Sequence, residues 1–203
     1  MKFRGDSTIQ AKLHDGKYMM AISDGMGSGA EAKKSSSTVI RMLDRLLTSG
    51  FDKDLSIGLI NSAINLSSTK ETYATIDISI LDLSKGNIEF IKNGACPTYI
   101  RTKKKVEIIK AVSLPAGILD KIDLVVYDKD LTGEDIIVMC SDGVIESNTE
   151  YTNKELWVKE LLEKIETKDA QKIADLLVAE AIDNGLGLAR DDMTVLVAKI
   201  EKI

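Results

Sequence analysis

Ala74-Thr75-Ile76-Asp77-Ile78-Ser79-Ile80 alternates apolar and polar residues with a period of two. That period predicts a half-buried β-strand, with Ala74, Ile76, Ile78 and Ile80 inward and Thr75, Asp77 and Ser79 outward. Ser84-Lys85-Gly86-Asn87 is turn chemistry, and Ile88 to Lys92 returns as the partner strand of a hairpin. Thr98 to Arg101, Val106 to Ile109 and Leu124 to Tyr127 read as further short strands with short connections. Asp135 to Cys140 is almost purely apolar and reads as a central strand. Connections this short require mostly antiparallel pairing.

On both sides of this meander the period lengthens towards 3.6. Upstream, Tyr18 to Ile22 is a buried strand, followed by a helix from Ala30 to Leu47 with Val39, Met42, Leu43, Leu46 and Leu47 on one face. The Ala- and Ser-rich first half of that helix lets other backbone approach closely, and Gly50 ends it. A second amphipathic helix runs from Leu55 to Leu66, with Leu55, Leu59, Ala63 and Leu66 on its apolar side. Downstream, Asn153 to Ile165 carries Trp157, Leu161 and Ile165 at helical spacing. Asp169 can cap a further helix that turns Ile173, Leu177 and Ala181 inward. Met193 to Ile200 is apolar on both faces and reads as a buried strand. Helix pair, strand meander, helix pair and strand make an α+β layered fold, not an alternating parallel one.

The 203 residues fit one domain that can bury a real core. Apolar residues are 44% and charged residues 29%, but aromatics only 4%, so the core rests on aliphatic side chains. A net charge of −5 argues against a nucleic-acid binder, which needs a basic face. The one basic run, Lys103-Lys104-Lys105, falls where a solvated hairpin tip is expected. Cys96 and Cys140 have no CxxC spacing, which favours free thiols in a reducing compartment. No apolar stretch approaches 18 residues, so this chain is not expected to span a membrane itself. The first residues run straight into a motif, which suggests a piece of a longer protein with any anchor elsewhere.

The chemistry is carried by a repeated pattern. Met19-Met20-Ala21-Ile22 is followed by Ser23-Asp24-Gly25, and Ile136 to Cys140 by Ser141-Asp142-Gly143. Each is a buried strand that delivers an aspartate at its end. The glycine after it is expected to let the backbone turn sharply and to leave its carbonyl accessible. Arg190-Asp191-Asp192 precedes the last strand, and Gly5-Asp6 stands near the start. A single Asp-Gly is more often a turn than a site. The doubled motif after two buried strands is harder to explain as turns. Clustered carboxylates repel one another, and a hard divalent cation with a preference for oxygen ligands removes that penalty.

These residues resemble the motifs of metal-dependent protein phosphatases of the 2C type. The likeness lies in Ser23-Asp24-Gly25-Met26-Gly27-Ser28-Gly29, Ser141-Asp142-Gly143-Val144-Ile145-Glu146 and Arg190-Asp191-Asp192-Met193-Thr194. Gly5-Asp6-Ser7, Ile76-Asp77-Ile78-Ser79, Asn93-Gly94-Ala95-Cys96-Pro97 and Leu114-Pro115-Ala116-Gly117-Ile118 extend it in unbroken order, closest to phosphatase domains of sporulation regulators. The resemblance implies a four-layer α-β-β-α sandwich of two mostly antiparallel sheets, with two Mn²⁺ or Mg²⁺ at one end. Asp24 would bridge the ions, and the Gly25 carbonyl would bind one of them. Asp142 and Asp191 would complete the other ion's shell, and Asp6 would reach the Gly25 side directly or through water. Asp191 is preferred to Asp192 because it directly follows Arg190. Met26 stands where many eukaryotic members carry a histidine, and Arg4 lies too close to Asp6 to be assigned the family's phosphate-binding role. His14, the only histidine, reads as a surface residue in a polar turn.

By the same resemblance the substrate is a phosphorylated anti-sigma factor antagonist, and the domain is the cytoplasmic tail of a membrane protein that associates with the division machinery. Self-association into a homo-oligomer is left open. Three other readings compete: a phospho-acceptor domain, which needs a parallel sheet; a catalytically weak 2C-type domain serving as a regulatory protein-binding module; and a small-molecule phosphatase.

Overall fold

A computed structural model of the protein describes residues 5–27, 29–67, 73–122, 124–189 and 191–201. In chain order the elements are β1 (Asp6–Lys12), a 3-10 turn (His14–Gly16), β2 (Lys17–Asp24), α1 (Ala30–Thr48) and α2 (Lys53–Ser67). There follow β3 (Ile76–Asp82), β4 (Asn87–Asn93), β5 (Thr98–Arg101), β6 (Val106–Ile109), β7 (Val125–Asp130) and β8 (Ile136–Cys140). The chain continues with α3 (Asp142–Ile145), α4 (Glu155–Lys164), α5 (Ala170–Asn184) and β9 (Val195–Lys199). Two compact units result, one from Met1–Ala95 with Ala111–Asp130 and the other from Cys96–Lys110 with Leu131–Ile203.

The first unit is a five-stranded sheet in the order β1-β2-β3-β4-β7, and the second a four-stranded sheet in the order β6-β5-β8-β9. Every pairing between these strands is antiparallel. That excludes the parallel sheet of a phospho-acceptor domain and meets the α+β expectation of two antiparallel sheets flanked by helices. In the first unit, Val39, Leu43 and Leu47 of α1 and Ile57, Ile60 and Ile64 of α2 pack on Met19, Ala21, Ile76 and Ile78 of the sheet. In the second, Trp157, Leu162, Ile173, Leu177 and Ala181 of α4 and α5 pack on Tyr99, Val106, Ile136 and Val138. Asp169 caps α5 as expected, its side chain accepting from the Lys172 backbone N–H.

Three expectations change. β3 is buried on both faces: Asp77 and Ser79 are 2% and 1% exposed. The polar face of this strand is not solvated, because Lys92 sits directly opposite Asp77 on β4 and donates to its Oδ1 at 2.6 Å. The buried stripe of α2 is Ile57, Ile60 and Ile64, whereas Leu55, Leu59 and Leu66 face outward. The orientation is fixed by buried Asn61, which donates to the Leu119 carbonyl and accepts from the Gly117 N–H, so loop backbone groups find partners only with this face inward. Finally, β9 is a half-exposed edge strand, not a buried one, since among the described residues it pairs only with β8. Interior β8 is fully buried and ends in Cys140; neither this thiol nor that of half-buried Cys96 is in a disulfide.

Candidate metal centre

The first unit brings two of the expected ligands together. Antiparallel pairing of β1 and β2 sets Asp6 directly opposite Asp24, so both carboxylates leave the same face of neighbouring strands. Asp6 is 9% exposed and Asp24 half-buried. The backbone around Asp24 is held by the segment before β3. Ser23 Oγ donates to the Thr75 carbonyl at 2.7 Å, and the Asp24 N–H donates to Thr75 Oγ1 at 2.8 Å. Thr75 N–H returns a bond to the Asp24 carbonyl, and Gly25 bridges to Ala74. On the other side α1 grips the start of β1. Lys33 Nζ donates to the Asp6 carbonyl at 2.7 Å and to Ser7 Oγ at 3.0 Å, while Ser36 Oγ donates to the Gly5 carbonyl.

The second unit repeats the device. Ser141 is 2% exposed, and it fastens the end of β8 to the chain that enters β9. Its N–H donates to the Thr194 carbonyl, its Oγ donates to the Asp192 carbonyl, and its Oγ also accepts from the Thr194 N–H at 3.0 Å. Asp142 opens α3 instead of a simple turn, and its Oδ1 accepts from the Gly143 N–H at 2.7 Å. Asp191 Oδ1 accepts from the Asp192 N–H at 2.8 Å. In both motifs the serine is thus the fastening that fixes where the aspartate stands. The sequence signal for it was the serine itself, repeated before both aspartates.

The glycines serve a purpose other than the expected turn. Neither Gly25 nor Gly143 has a positive φ. A Cβ on Gly25 would lie 1.8 Å from the Ala32 carbonyl oxygen of α1, and one on Gly143 would lie 2.1 Å from the Asp192 carbonyl oxygen. Both obstacles are backbone, so space and not dihedral freedom demands glycine. Gly25→Ala and Gly143→Ala should each lose about 1–3 kcal/mol in denaturant unfolding. Gly58→Ala, inside α2 with nothing within 4 Å, should gain about 0.5–1 kcal/mol. Wild-type stability in both site variants would refute the close approach.

The expected donor set has the chemistry that suits a hard divalent cation. It consists of carboxylate and carbonyl oxygens with no thiol or imidazole, the preference of Mg²⁺ and Mn²⁺. Two like charges directly opposite on a sheet are destabilising unless a cation screens them. Among the described residues no group of three or more His, Cys, Asp or Glu side chains already closes around one point. Arg4, Ser28 and Arg190 lie outside the described residues. Met26 is 42% exposed and has no proton to donate, and His14 is exposed in its 3-10 turn.

Two antiparallel sheets, each with a strand that runs into Ser-Asp-Gly, give this chain the fold of solved PP2C-type phosphatase domains. The chain matches the family model for stage II sporulation protein E over residues 14–201. It belongs to the stage II sporulation protein E family. Curated members from Priestia megaterium and Bacillus subtilis strain 168 are 39% and 40% identical over 197 residues, 97% of this chain. The chain spans 34% and 24% of their respective lengths. A solved structure of the PP2C phosphatase domain with a fragment of the regulatory domain of SpoIIE from Bacillus subtilis is similar with a TM-score of 0.90 at 40% identity. That match covers 98% of this chain and 58% of the other.

Proposed function

We propose that this chain is a metal-dependent serine phosphatase domain that hydrolyses a phosphoserine on another protein with the help of two divalent cations, Mn²⁺ or Mg²⁺. The observation that carries the reading is the placement of Asp6 directly across from Asp24, two carboxylate donors on one face of neighbouring strands. Asp6, Asp24, the Gly25 carbonyl, Asp142 and Asp191 would be the groups that hold the ions. Asp192 stands beside Asp191 as an outer-shell group. The Bacillus subtilis phosphatase domain, 35% identical to this chain, has been solved presoaked with Mn.

Held there, divalent ions would supply an activated water and charge stabilisation for phosphoryl transfer. The chain's own residues position the donors: Ser23 and Thr75 hold Asp24, Ser141 holds the approach to Asp142 and Asp191, and Lys33 pins the strand that bears Asp6. Met26 offers no acid to protonate the leaving serine.

The substrate we infer is the phosphorylated form of an anti-sigma factor antagonist, whose dephosphorylation frees a sigma factor. The domain would then be the cytoplasmic portion of a membrane-tethered protein near the division machinery. No helix among the described residues is long and apolar enough to cross a membrane. The test is phosphate release from a phosphoserine protein. We expect EDTA to abolish it and Mn²⁺ or Mg²⁺ to restore it. A rate indifferent to EDTA would overturn the mechanism. No turnover under any metal would favour the regulatory binding module instead.

A further inference from the structure

The basic run that composition assigns to a solvated tip does more than end a hairpin. The β5–β6 turn is locked: Thr102 N–H donates to the Lys105 carbonyl at 2.9 Å, and Thr102 Oγ1 accepts from the Lys104 and Lys105 N–H groups at 3.2 Å each. Three consecutive lysines are therefore fanned from a fixed backbone. They form one wall of a cavity of about 510 Å³, a volume usual for small-molecule sites. Arg101, Lys103, Lys104, Lys105 and Lys168 line it, against two acids, Glu134 and Glu163. In a chain of net charge −5, this is a local reversal of sign.

The acids are already engaged. Glu163 accepts from Lys159 at 2.5 Å, and Lys159 lies outside the cavity. Glu134 Oε2 is shared by Lys103 at 3.0 Å and Lys168 at 3.3 Å, and hydrogen bonds from those two ammonium groups hold its carboxyl below the usual range. Both lysines are more than half exposed, so these surface bridges are weak and a better anion can displace them. Arg101 is half-buried and fixed by one bond from Nη1 to the Thr167 carbonyl at 3.0 Å, which leaves further guanidinium N–H groups in a fork suited to phosphate oxygens. The apolar lining residues Val106 and Ile136 are only 4% and 2% exposed, so little surface is offered to a base or an acyl chain.

We infer that this cavity binds a compact oligophosphate group carrying at least three negative charges, on a soluble anhydride or on a phosphorylated lipid headgroup. It is separate from the proposed phosphatase centre. Arg101 pairs with Ile136 at the start of β8, whereas Asp142 follows its other end, roughly 13 Å of strand away.

The test titrates inorganic triphosphate into the 203-residue protein in EDTA, which keeps divalent ions from bridging ligand to acids. Saturable 1:1 binding is expected, at least tenfold tighter than for inorganic phosphate. Arg101→Gln, and separately the Lys103→Ala/Lys168→Ala double variant, should each weaken it tenfold or more, and Lys121→Ala should leave it unchanged. The double variant removes only exposed side chains, so it decides the matter if Arg101→Gln fails to fold. Vesicles containing phosphatidylinositol bisphosphate identify the source. Binding that triphosphate competes away places the group on a lipid, and triphosphate binding without vesicle binding makes it soluble. Absence of saturable binding, equal binding by the variants, or equal competition by a glutamate-rich peptide would each overturn the proposal.

Discussion

Asp24→Asn is expected to lower metal-dependent phosphate release by on the order of 10³-fold or more, while the metal-free protein becomes slightly more stable. The two effects have opposite signs for one reason. With cations bound, the carboxylate at position 24 holds the pair together, and metal-ion stabilisation of phosphoryl transfer is worth several kcal/mol, at about 1.36 kcal/mol per tenfold in rate. Without cations, the same carboxylate faces Asp6 across the β1–β2 ladder and repels it. Removing one charge of such a cross-strand pair should return a few tenths to about 1 kcal/mol. Asparagine keeps the shape, and the backbone bonds between Asp24 and Thr75 do not involve the aspartate side chain. Phosphatase assays with Mn²⁺, paired with thermal melts in EDTA, separate the two effects. An Asp24→Asn protein that keeps its rate, or melts earlier than wild type in EDTA, would remove position 24 from the centre of the site.

The second large effect lies in the middle of the same sheet. Lys92 is 0% exposed and its bridge to Asp77 is buried, yet Oδ2 of Asp77 has no hydrogen-bond partner. Burial pushes the Asp77 carboxyl up, and the charge and hydrogen bond of Lys92 act the other way. Lys92→Met should cost about 3–5 kcal/mol near neutral pH, since it leaves a buried carboxylate uncompensated. Replacing both partners, Asp77→Leu with Lys92→Met, should be near neutral or stabilising by about 1–4 kcal/mol. The pH dependence has a definite sign. A carboxyl raised above its unfolded value contributes its full stability below that unfolded value and loses it as pH rises through the folded one. Without Lys92 the carboxyl rises further, so the Lys92→Met single variant should be more stable at about pH 5 than at about pH 8 by urea unfolding. A flat profile would mean that Asp77 stays charged without help.

Most of the fold was legible where local chemistry and tertiary context agree. Thr98 to Arg101 and Val106 to Ile109 form strands with the expected bounds, and Asp169 caps its helix. The misreadings share a cause. Leu55, Leu59 and Leu66 make as good a helical stripe as Ile57, Ile60 and Ile64, and only the loop backbone waiting for Asn61 decides between them. Asp77 looked solvated because its partner lies 15 residues away on the next strand. The glycines of the two motifs were recognised, but the backbone oxygens of Ala32 and Asp192 that exclude a side chain there belong to chain distant in sequence or in the next segment. The two Ser-Asp-Gly motifs stand out because their pattern is local, whereas the Asp6–Asp24 pairing follows from a register that no periodicity in Asp6–Lys12 announces.

The buried thiol that closes β8, held in no disulfide, gives the second unit a chemical clock. Cys140 is 1% exposed and stands one residue before the serine that fastens the strand end to its neighbour. An alkylating reagent can reach this sulfur only when that fastening lets go, so its labelling rate counts local openings beside Asp142 without any engineered probe.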